Sequence, residues 1–238
     1  LQALLLEQID RVVVNNSWGM FDPSWDFPPG HPGNYSDNAL HPFNVIVSAL
    51  EAQGADILFA AGNCGVDCPD GRCGFVSKPI CGANSHPSVS SIAGVDTNRD
   101  RVGYSSQGPG RIDNDKPDFS AYPHFLGSEA FGVGVPDSGT SAACPVAAGV
   151  VAAIRTRYSP ADVSPAQLRA IIHKTAIDLG TAGYDFDTGW GVIHAGTLLA
   201  NLATATPTAP PWPGRYLKQP PTMRGTDVKT WQAQMARQ

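Results

Sequence analysis

The stretch that most constrains this fold is a glycine turn leading into a helix of small residues, SGTSAACPVAAGVVAAI at positions 138–154. After Pro145 almost every side chain is Ala, Val or Gly as far as Ile154. A helix that is apolar on all sides is predicted to lie in the interior of a protein. Ser141 would then lie at the positive end of the helix dipole, beside backbone N–H groups without partners in the helix. A hydroxyl there can cap the helix or take part in chemistry that forms an oxyanion.

Two short apolar runs, at residues 11–19 and 56–63, predict strands of a parallel sheet. Each run is continuous, which is typical of a strand covered on both faces. The second ends in Asn63, at the edge of a sheet where ligands bind in α/β folds, although Asn is also an ordinary turn residue. Apolar residues at helical spacing predict a helix over residues 43–53, ended by Gly54. The apolar residues of this helix are Val45, Ile46, Ala49 and Leu50.

The serine turn carries a resemblance to a known family. Residues 139–149, GTSAACPVAAG, resemble the nucleophile motif of the subtilisin-like serine proteases, the subtilases of peptidase family S8. The resemblance implies that Ser141 is the acylating nucleophile, activated by a histidine that an aspartate orients. It also implies an α/β fold, a subtilisin-like three-layer sandwich with a mostly parallel central sheet. Cys144 and Val146 depart from the commonest form of the motif, in which Ser and His are frequent.

Two earlier stretches resemble substrate-binding segments of the same family. Residues 60–63, AAGN, look like the segment whose asparagine, here Asn63, donates its side-chain N–H to the tetrahedral oxyanion. In the family, the residues before this asparagine form a wall of the primary specificity pocket. Residues 13–19 resemble the strand whose end pairs with the bound peptide. The substrate-binding residues implied by the resemblance are Ser17, Trp18, Gly19, Ala61 and Gly62.

The aspartate and histidine motifs of the family are missing from this sequence. In subtilases both motifs precede the strand that matches residues 11–19, and this sequence contains neither of them. His86 matches a position that is structural in the family and is interpreted as structural. We therefore expect the N-terminal strands and helices of the fold to be missing and the chain alone to be nearly inactive.

Two functions of different classes are compatible with these observations. In the first, the chain is the carboxyl-terminal part of a serine-type endopeptidase whose catalytic Asp and His lie upstream of Leu1. In the second, it is a catalytically inactive protein of the subtilase fold that binds peptide or cell wall. A sedolisin-like carboxyl protease is a further alternative, and Asn63 argues against it because the oxyanion residue of that family is an aspartate.

Composition and charge indicate the class of partner. The chain has 238 residues and a net charge of -5, and its 16 basic residues are dispersed, so no nucleic-acid partner is expected. No apolar run reaches the roughly 20 residues that a membrane-spanning helix needs. The resemblance implies a peptide or protein substrate and requires no organic cofactor. Structural calcium is frequent in such proteases but is assigned to no residue here, and Asp22, Asp26 and Asp37 are interpreted as solvated acids.

Four of the five cysteines fall within one loop rich in glycine and proline. We interpret them as two disulfides of a secreted, extracellular protein of bacterial type, with the pairing open among three connectivities. A zinc cluster is the alternative, weakened because the spacings do not form two Cys-x-x-Cys pairs. The fifth, Cys144, is predicted to be a buried free thiol. The clustered residues are Cys64, Cys68, Cys73 and Cys81.

The sequence divides into three predicted regions. Residues 1–202 are predicted to be the carboxyl-terminal part of a subtilase catalytic domain, and residues 203–214 a linker rich in proline and threonine. Residues 215–238 resemble the opening of a peptidoglycan-binding repeat but are too few for the whole module. This segment is therefore either a truncated repeat that contacts cell-wall peptidoglycan or a disordered tail.

Overall fold

A computed structural model of the chain describes residues 9–74 and 77–204. The chain divides into two compact units, Leu1–Ala200 and Asn201–Gln238, and only residues 201–204 of the second are described. The predicted peptidoglycan-binding-like segment and nearly all of the predicted linker lie outside the described residues. Within the described part, no helix combines the length and apolar character needed to cross a membrane.

The first unit is built on a sheet of four parallel strands, which lie side by side in the order in which they occur in the chain. The strands are β1 (Val12–Asn16), β2 (Ala55–Ala60), β3 (Ser90–Gly94) and β4 (Phe119–Ala121). The helices are α1 (Pro42–Ala52), α2 (Thr140–Arg155), α3 (Pro165–Thr175) and α4 (Ala195–Thr204). Short 3-10 helices lie at Pro23–Trp25 and Gly82–Ser85.

Helices cover both faces of the sheet. Successive residues of a strand point to opposite faces, so β2 contributes alternate side chains to two layers. Ile57 and Phe59 pack with Val47 of α1 on one face. On the other face, Asp56 binds the last residue of α2, a helix that packs against all four strands. The three-layer α/β arrangement with a parallel sheet confirms the predicted fold class.

The prediction that helix α2 is buried on all sides is wrong for one face. Pro145, Gly149, Ala152 and Ala153 are exposed, whereas the opposite face, including Ala143 and the other residues that meet the sheet, is buried. Small apolar residues occur on both faces of this helix, so the sequence pattern contains no contrast from which the exposed face could be identified.

Two apolar residues of helix α1 point away from the core. Val45 and Ile46 are 46% and 54% exposed, and the buried residues of the helix are Asn44 and Val47. Asn44 can be buried because its Nδ2 donates to two backbone carbonyls, that of Tyr35 at 3.1 Å and that of Asn38 at 2.8 Å. Hydrogen bonds to the preceding loop thus place a polar residue where the hydropathy pattern would place an apolar one.

A buried ion pair connects the end of α2 to the start of β2. Arg155 Nε lies 2.5 Å from Asp56 Oδ2, and Arg155 Nη2 lies 2.7 Å from Asp56 Oδ1. Arg155 Nη1 also donates to the carbonyl of Val163 at 2.6 Å. The two side chains are only 2% and 7% exposed. Two parallel hydrogen bonds therefore join the guanidinium to the carboxylate, so that each buried charge is paired with the opposite charge.

A second buried charge cluster lies beside β4. Lys116 Nζ lies 2.6 Å from Asp118 Oδ2 and also donates to the carbonyl of Val89 at 2.9 Å. The backbone N–H of Ser91 donates to the same carboxylate oxygen at 2.7 Å. His173 Nε2 of α3 lies 3.3 Å from Asp118 Oδ1. Burial alone would raise the pKa of Asp118, but the Lys116 charge and then His173 outweigh it and lower that pKa.

We expect this cluster to make the fold sensitive to acid. Because the pKa of Asp118 is lower in the folded protein than its ordinary 3.8, the unfolded chain binds a proton first as pH falls. The stabilisation is complete above about pH 5 and is lost as pH falls through 4 towards the lowered pKa. Urea unfolding at pH 7 and pH 3 measures this loss. An Asp118→Asn variant should be less stable at pH 7 and should lose less stability between the two values, and equal losses in both proteins would contradict the assignment.

Candidate active site

The carboxyl ends of β1 and β2 and the first turn of α2 enclose a cavity of about 210 Å³. Its walls are formed by residues 17–21, which follow β1, and by residues 60–64 at the end of β2. The helix contributes Thr140 and Ser141. The structure therefore brings together every residue that the sequence predicted for the site. These residues are Ser17, Trp18, Gly19, Ala61, Gly62, Asn63 and Ser141.

Asn63 is held by the residue that precedes the serine. Asn63 Oδ1 accepts hydrogen bonds from the backbone N–H and from the hydroxyl of Thr140, both at 2.9 Å. The Thr140 hydroxyl in turn accepts from the backbone N–H of Gly62 at 3.0 Å. The side-chain oxygen of Asn63 is thus occupied by Thr140. No described residue accepts a hydrogen bond from Asn63 Nδ2. The carboxamide is thus fixed with its donor free for a ligand.

At the start of α2, two backbone N–H groups have hydrogen-bond acceptors and a third has none among the described residues. The N–H of Gly139 donates to Tyr104 Oη at 2.9 Å, and the N–H of Thr140 donates to Asn63. The N–H of Ser141 donates to none of the described residues. This N–H group, at the positive end of the helix, and Asn63 Nδ2 are the donors that an oxyanion at this site could use.

Glycine is required at the turn before the serine. Gly139 has a φ of 85°, and a Cβ at this position would lie 3.1 Å from Asn63 Nδ2. Both the positive φ and the close approach exclude larger residues. On the other wall, Ser17 Oγ donates to the carbonyl of Ser141 at 2.8 Å, which ties the loop after β1 to the helix.

No described imidazole or carboxylate contacts the hydroxyl of Ser141. His86 does not line the cavity; its ring Nδ1 accepts from the backbone N–H of Ser88 at 3.1 Å. Burial, followed by the charge of Lys116, lowers the pKa of His86. These contacts agree with a structural role for this histidine.

Asn84 is a site residue that the sequence analysis did not single out. Its Nδ2 donates to the carbonyls of Trp18 and Ala60, both at 2.8 Å, and so joins the two walls of the cavity. A Cβ at Gly19 would lie 2.8 Å from that Nδ2, so only glycine fits there. The signal available in the sequence was a single asparagine between Ala83 and Ser85, which by itself predicts no partner.

The cysteine loop forms another part of the cavity lining. Arg72 lies with its guanidinium 3.8 Å from the centre of the Phe21 ring, and it binds Asp70 through Nε at 2.9 Å and Nη2 at 3.0 Å. Hydrogen bonds from Arg72 hold the pKa of Asp70 at about 2. The sequence analysis also missed Arg72, because nothing in a glycine-rich loop shows where a side chain will point.

The prediction of two disulfides is wrong: the structure has one, between Cys64 and Cys73. Cys68 is exposed and lies beside Gly103, whereas Cys81 is buried with its sulfur 3.9 Å from the carbonyl of Met20. The thiols of Cys68 and Cys81 therefore lie in different environments, one exposed and one buried. Burial raises the pKa of Cys81 to about 11.

Cys144 is a buried free thiol, as predicted. Burial raises its pKa to about 12. Across residues 9–74 and 77–204, no three His, Cys, Asp or Glu side chains lie close enough together to hold a metal ion.

The acids of the loop after β1 are not simply solvated, which corrects their interpretation. Asp22 caps a 3-10 helix by accepting from the N–H of Ser24 at 2.8 Å. Asp26 accepts from three backbone N–H groups, those of Phe27 and Tyr35 at 2.8 Å and that of Ser36 at 2.7 Å. Asp37 pairs with Arg111 at 2.9 Å. These carboxylates therefore organise the loop through contacts within the protein.

Comparison with known proteins gives a consistent result. The model of the subtilase family, Peptidase S8, matches residues 3–191. A thermostable alkaline protease of Halalkalibacterium halodurans is 33% identical over 108 residues, which are 45% of this chain and 27% of the relative. The chain thus spans about a quarter of that relative's length.

Solved structures share the fold at low identity. The protease domain of PatA has a TM-score of 0.57 at 19% identity, over 87% of this chain and 64% of that one. The Aeromonas sobria serine protease, solved with its chaperone, has a TM-score of 0.58 at 18% identity, over 83% and 44%. The prenylagaramide maturation protease PagA gives 0.55 at 16% identity, over 84% and 64%. At these identities the likeness concerns the fold alone.

Proposed function

Because this chain belongs to the subtilase family, we propose that it is the carboxyl-terminal part of the catalytic domain of a serine endopeptidase. Ser141 is the nucleophile, and Asn63 is an oxyanion donor. The catalytic aspartate and histidine come from residues upstream of Leu1. The observation that carries this proposal is the convergence of Ser141 and the oriented Asn63 carboxamide at one cavity.

The mechanism follows from the donors and the hydroxyl present at the site. Ser141 Oγ attacks the carbonyl carbon of a peptide bond and gives its proton to the histidine base. The oxygen of the carbonyl becomes an oxyanion, which Asn63 Nδ2 and the Ser141 N–H stabilise. The histidine passes its proton to the leaving amine, and an acyl-enzyme on Ser141 remains. Water then hydrolyses this ester and regenerates the hydroxyl.

The cavity and its walls suit a peptide substrate. The residues after β1 offer backbone groups to an extended peptide, which can add to the edge of the site as a strand. One substrate side chain would enter the cavity between Trp18–Gly19 and Ala61–Gly62. No organic cofactor takes part in this chemistry. The Cys64–Cys73 disulfide supports an oxidising compartment and hence secretion.

A catalytically inactive peptide-binding protein is the second candidate. The observation in its favour is that no described residue could act as a base for Ser141. Without such a base the serine hydroxyl is a weak nucleophile.

A fluorophosphonate probe, applied to the full-length protein, separates the two functions. We expect one covalent adduct, located at Ser141 by peptide mass spectrometry. A Ser141→Ala variant should not be labelled, and a Ser88→Ala variant, changed at a distant serine, should be labelled as the wild type is. Absence of an adduct in the wild-type protein would contradict the enzymatic proposal and favour the binding protein.

A further inference from the structure

Among the described residues that line the active-site cavity, Arg72 is the one whose side chain is charged at neutral pH. The other lining side chains are apolar or carry uncharged hydroxyl, amide or sulfur groups. Cys64 is in a disulfide, and burial raises the pKa of Cys81 to about 11, so neither sulfur is charged. A ligand in the cavity therefore meets a positive charge that no carboxylate among these lining residues balances.

Three contacts fix the position of the Arg72 side chain. Its guanidinium lies 3.8 Å from the centre of the Phe21 ring, and Phe21 itself lines the cavity. Arg72 Nε and Nη2 donate to the two carboxylate oxygens of Asp70, at 2.9 and 3.0 Å. The backbone N–H of Arg72 donates to Asp70 Oδ1 at 2.9 Å. The guanidinium is therefore oriented before a substrate binds, although the side chain is 60% exposed.

The loop that carries Arg72 is anchored to Asn63. The disulfide joins Cys64 and Cys73, which directly follow Asn63 and Arg72 in the chain. The backbone N–H of Asp70 also donates to the carbonyl of Asn63 at 2.9 Å. The proposed oxyanion donor and the guanidinium therefore belong to one cross-linked segment, and both residues line the same cavity.

One nitrogen of the Arg72 guanidinium remains available to a ligand. Nε and Nη2 are used by Asp70, which does not line the cavity, and Nη1 donates to none of the described residues. A carboxylate in the cavity could accept from Nη1 in a charge-assisted hydrogen bond, which is stronger than the bond that a neutral amide makes. Because Asp70 already balances part of the Arg72 charge and the pair is exposed, the expected gain is modest.

Resting on the proposed function, we propose that Arg72 is a specificity-determining residue that favours substrates with an acidic side chain on the residue that forms the acyl-enzyme. The carbonyl carbon of that residue bonds to Ser141, and its oxygen lies at Asn63. Both of these residues line the cavity, so the substrate side chain starts at the cavity and enters it. Because Arg72 lines the same cavity, an entering carboxylate meets the guanidinium.

Two peptides that differ only at the residue before the scissile bond test this proposal on the full-length protein. That residue is Glu in one peptide and Gln in the other, and because the two side chains have the same shape, their ratio isolates the charge. We expect kcat/KM about 5-fold higher for the Glu peptide, the upper end of what an exposed ion pair contributes. The ratio should fall as salt is added, since exposed charges are screened. Equal rates in the wild type, or faster cleavage of the Gln peptide, would overturn the proposal.

An arginine variant and a matched control identify the charge that is responsible. Arg72→Gln should bring the Glu-to-Gln ratio to about one. The control, Arg157→Gln, removes another exposed arginine that stacks on an aromatic ring, its guanidinium lying 5.5 Å from the centre of the Tyr158 ring. This control should keep the wild-type ratio. A preference for the Glu peptide that survives in Arg72→Gln would contradict the role of Arg72.

Charge reversal gives a readout that a merely structural role of Arg72 would not move. The wild type should cleave the Glu peptide faster than a peptide with Lys at the same position, and an Arg72→Glu variant should reverse this order. A loop that is only disturbed by the substitution would slow both peptides alike. If Arg72→Glu kept the wild-type order, the proposal would be refuted.

Direct binding separates this specificity from the proposed catalysis. Fluorescent versions of the Glu and Gln peptides are titrated into full-length protein carrying Ser141→Ala, alone and combined with Arg72→Gln. Tighter binding of the Glu peptide, lost when Arg72→Gln is added, supports the specificity even if the wild type neither cleaves peptides nor reacts with the fluorophosphonate. Equal affinities of the two peptides for the Ser141→Ala protein overturn the specificity and leave the proposed catalysis untouched.

Discussion

Replacing Asn63 by leucine is expected to lower kcat of the full-length protein on a peptide substrate by about 100- to 1000-fold, with little change in KM. The carboxamide Nδ2 is the free end of a side chain whose oxygen is held by Thr140, so its donor is positioned before substrate binds. Steady-state kinetics measure the two constants separately. A loss confined to KM would show that Asn63 binds the ground state and not the oxyanion.

Asn63→Asp provides a matched control for this experiment. A carboxylate can still accept from the N–H and hydroxyl of Thr140, but it has no N–H to donate. We expect kcat to fall as in the leucine variant while the urea midpoint stays closer to that of the wild type. If Asn63→Asp retained the wild-type kcat, the role of the donor would be refuted.

Replacing Arg155 by methionine is expected to reduce the free energy of unfolding by about 3–5 kcal/mol. The substitution leaves the Asp56 carboxylate in the interior without its partner, and the cost of that buried charge exceeds the loss of two hydrogen bonds. Chemical denaturation of the full-length protein, followed by tryptophan fluorescence, measures the change.

Two further variants identify the cause of this loss. Combining Arg155→Met with Asp56→Leu should recover most of the stability, because apolar residues can replace a buried pair at little cost. Arg157→Met, at an exposed arginine two residues later, should change the free energy of unfolding by no more than about 0.5 kcal/mol. A double variant as unstable as Arg155→Met would mean that the guanidinium stabilises the fold mainly through Val163.

The sequence was most informative where local chemistry is strong. The resemblance of residues 139–149 and 60–63 to the subtilase motifs implied that Ser141 and Asn63 act at one site, and the structure brings them to the same cavity. A turn that needs glycine and a strand that ends in an amide are both visible in a few consecutive residues. The parallel sheet itself followed from continuous apolar runs, because strands covered on both faces need them.

What the sequence did not predict depends on contacts between distant residues. Arg155 and Asp56 are 99 positions apart, and nothing in either local pattern indicates the other. The exposed face of α2 was missed because small apolar residues on both faces of the helix remove the usual hydropathy contrast, and the burial of Asn44 in α1 depends on hydrogen bonds to the loop before it. The number of disulfides depended on which thiols lie side by side, and spacing along the chain does not determine that.

Helix α2 is fastened to strand β2 at both ends. Thr140 binds the end of the strand through Gly62 and Asn63, and Arg155 binds its beginning through Asp56. Helix and strand therefore act as a closed rigid frame, in which neither can slide along the other. On heating, the serine and the carboxamide should keep their mutual position until the frame opens, so loss of function and loss of fold would coincide.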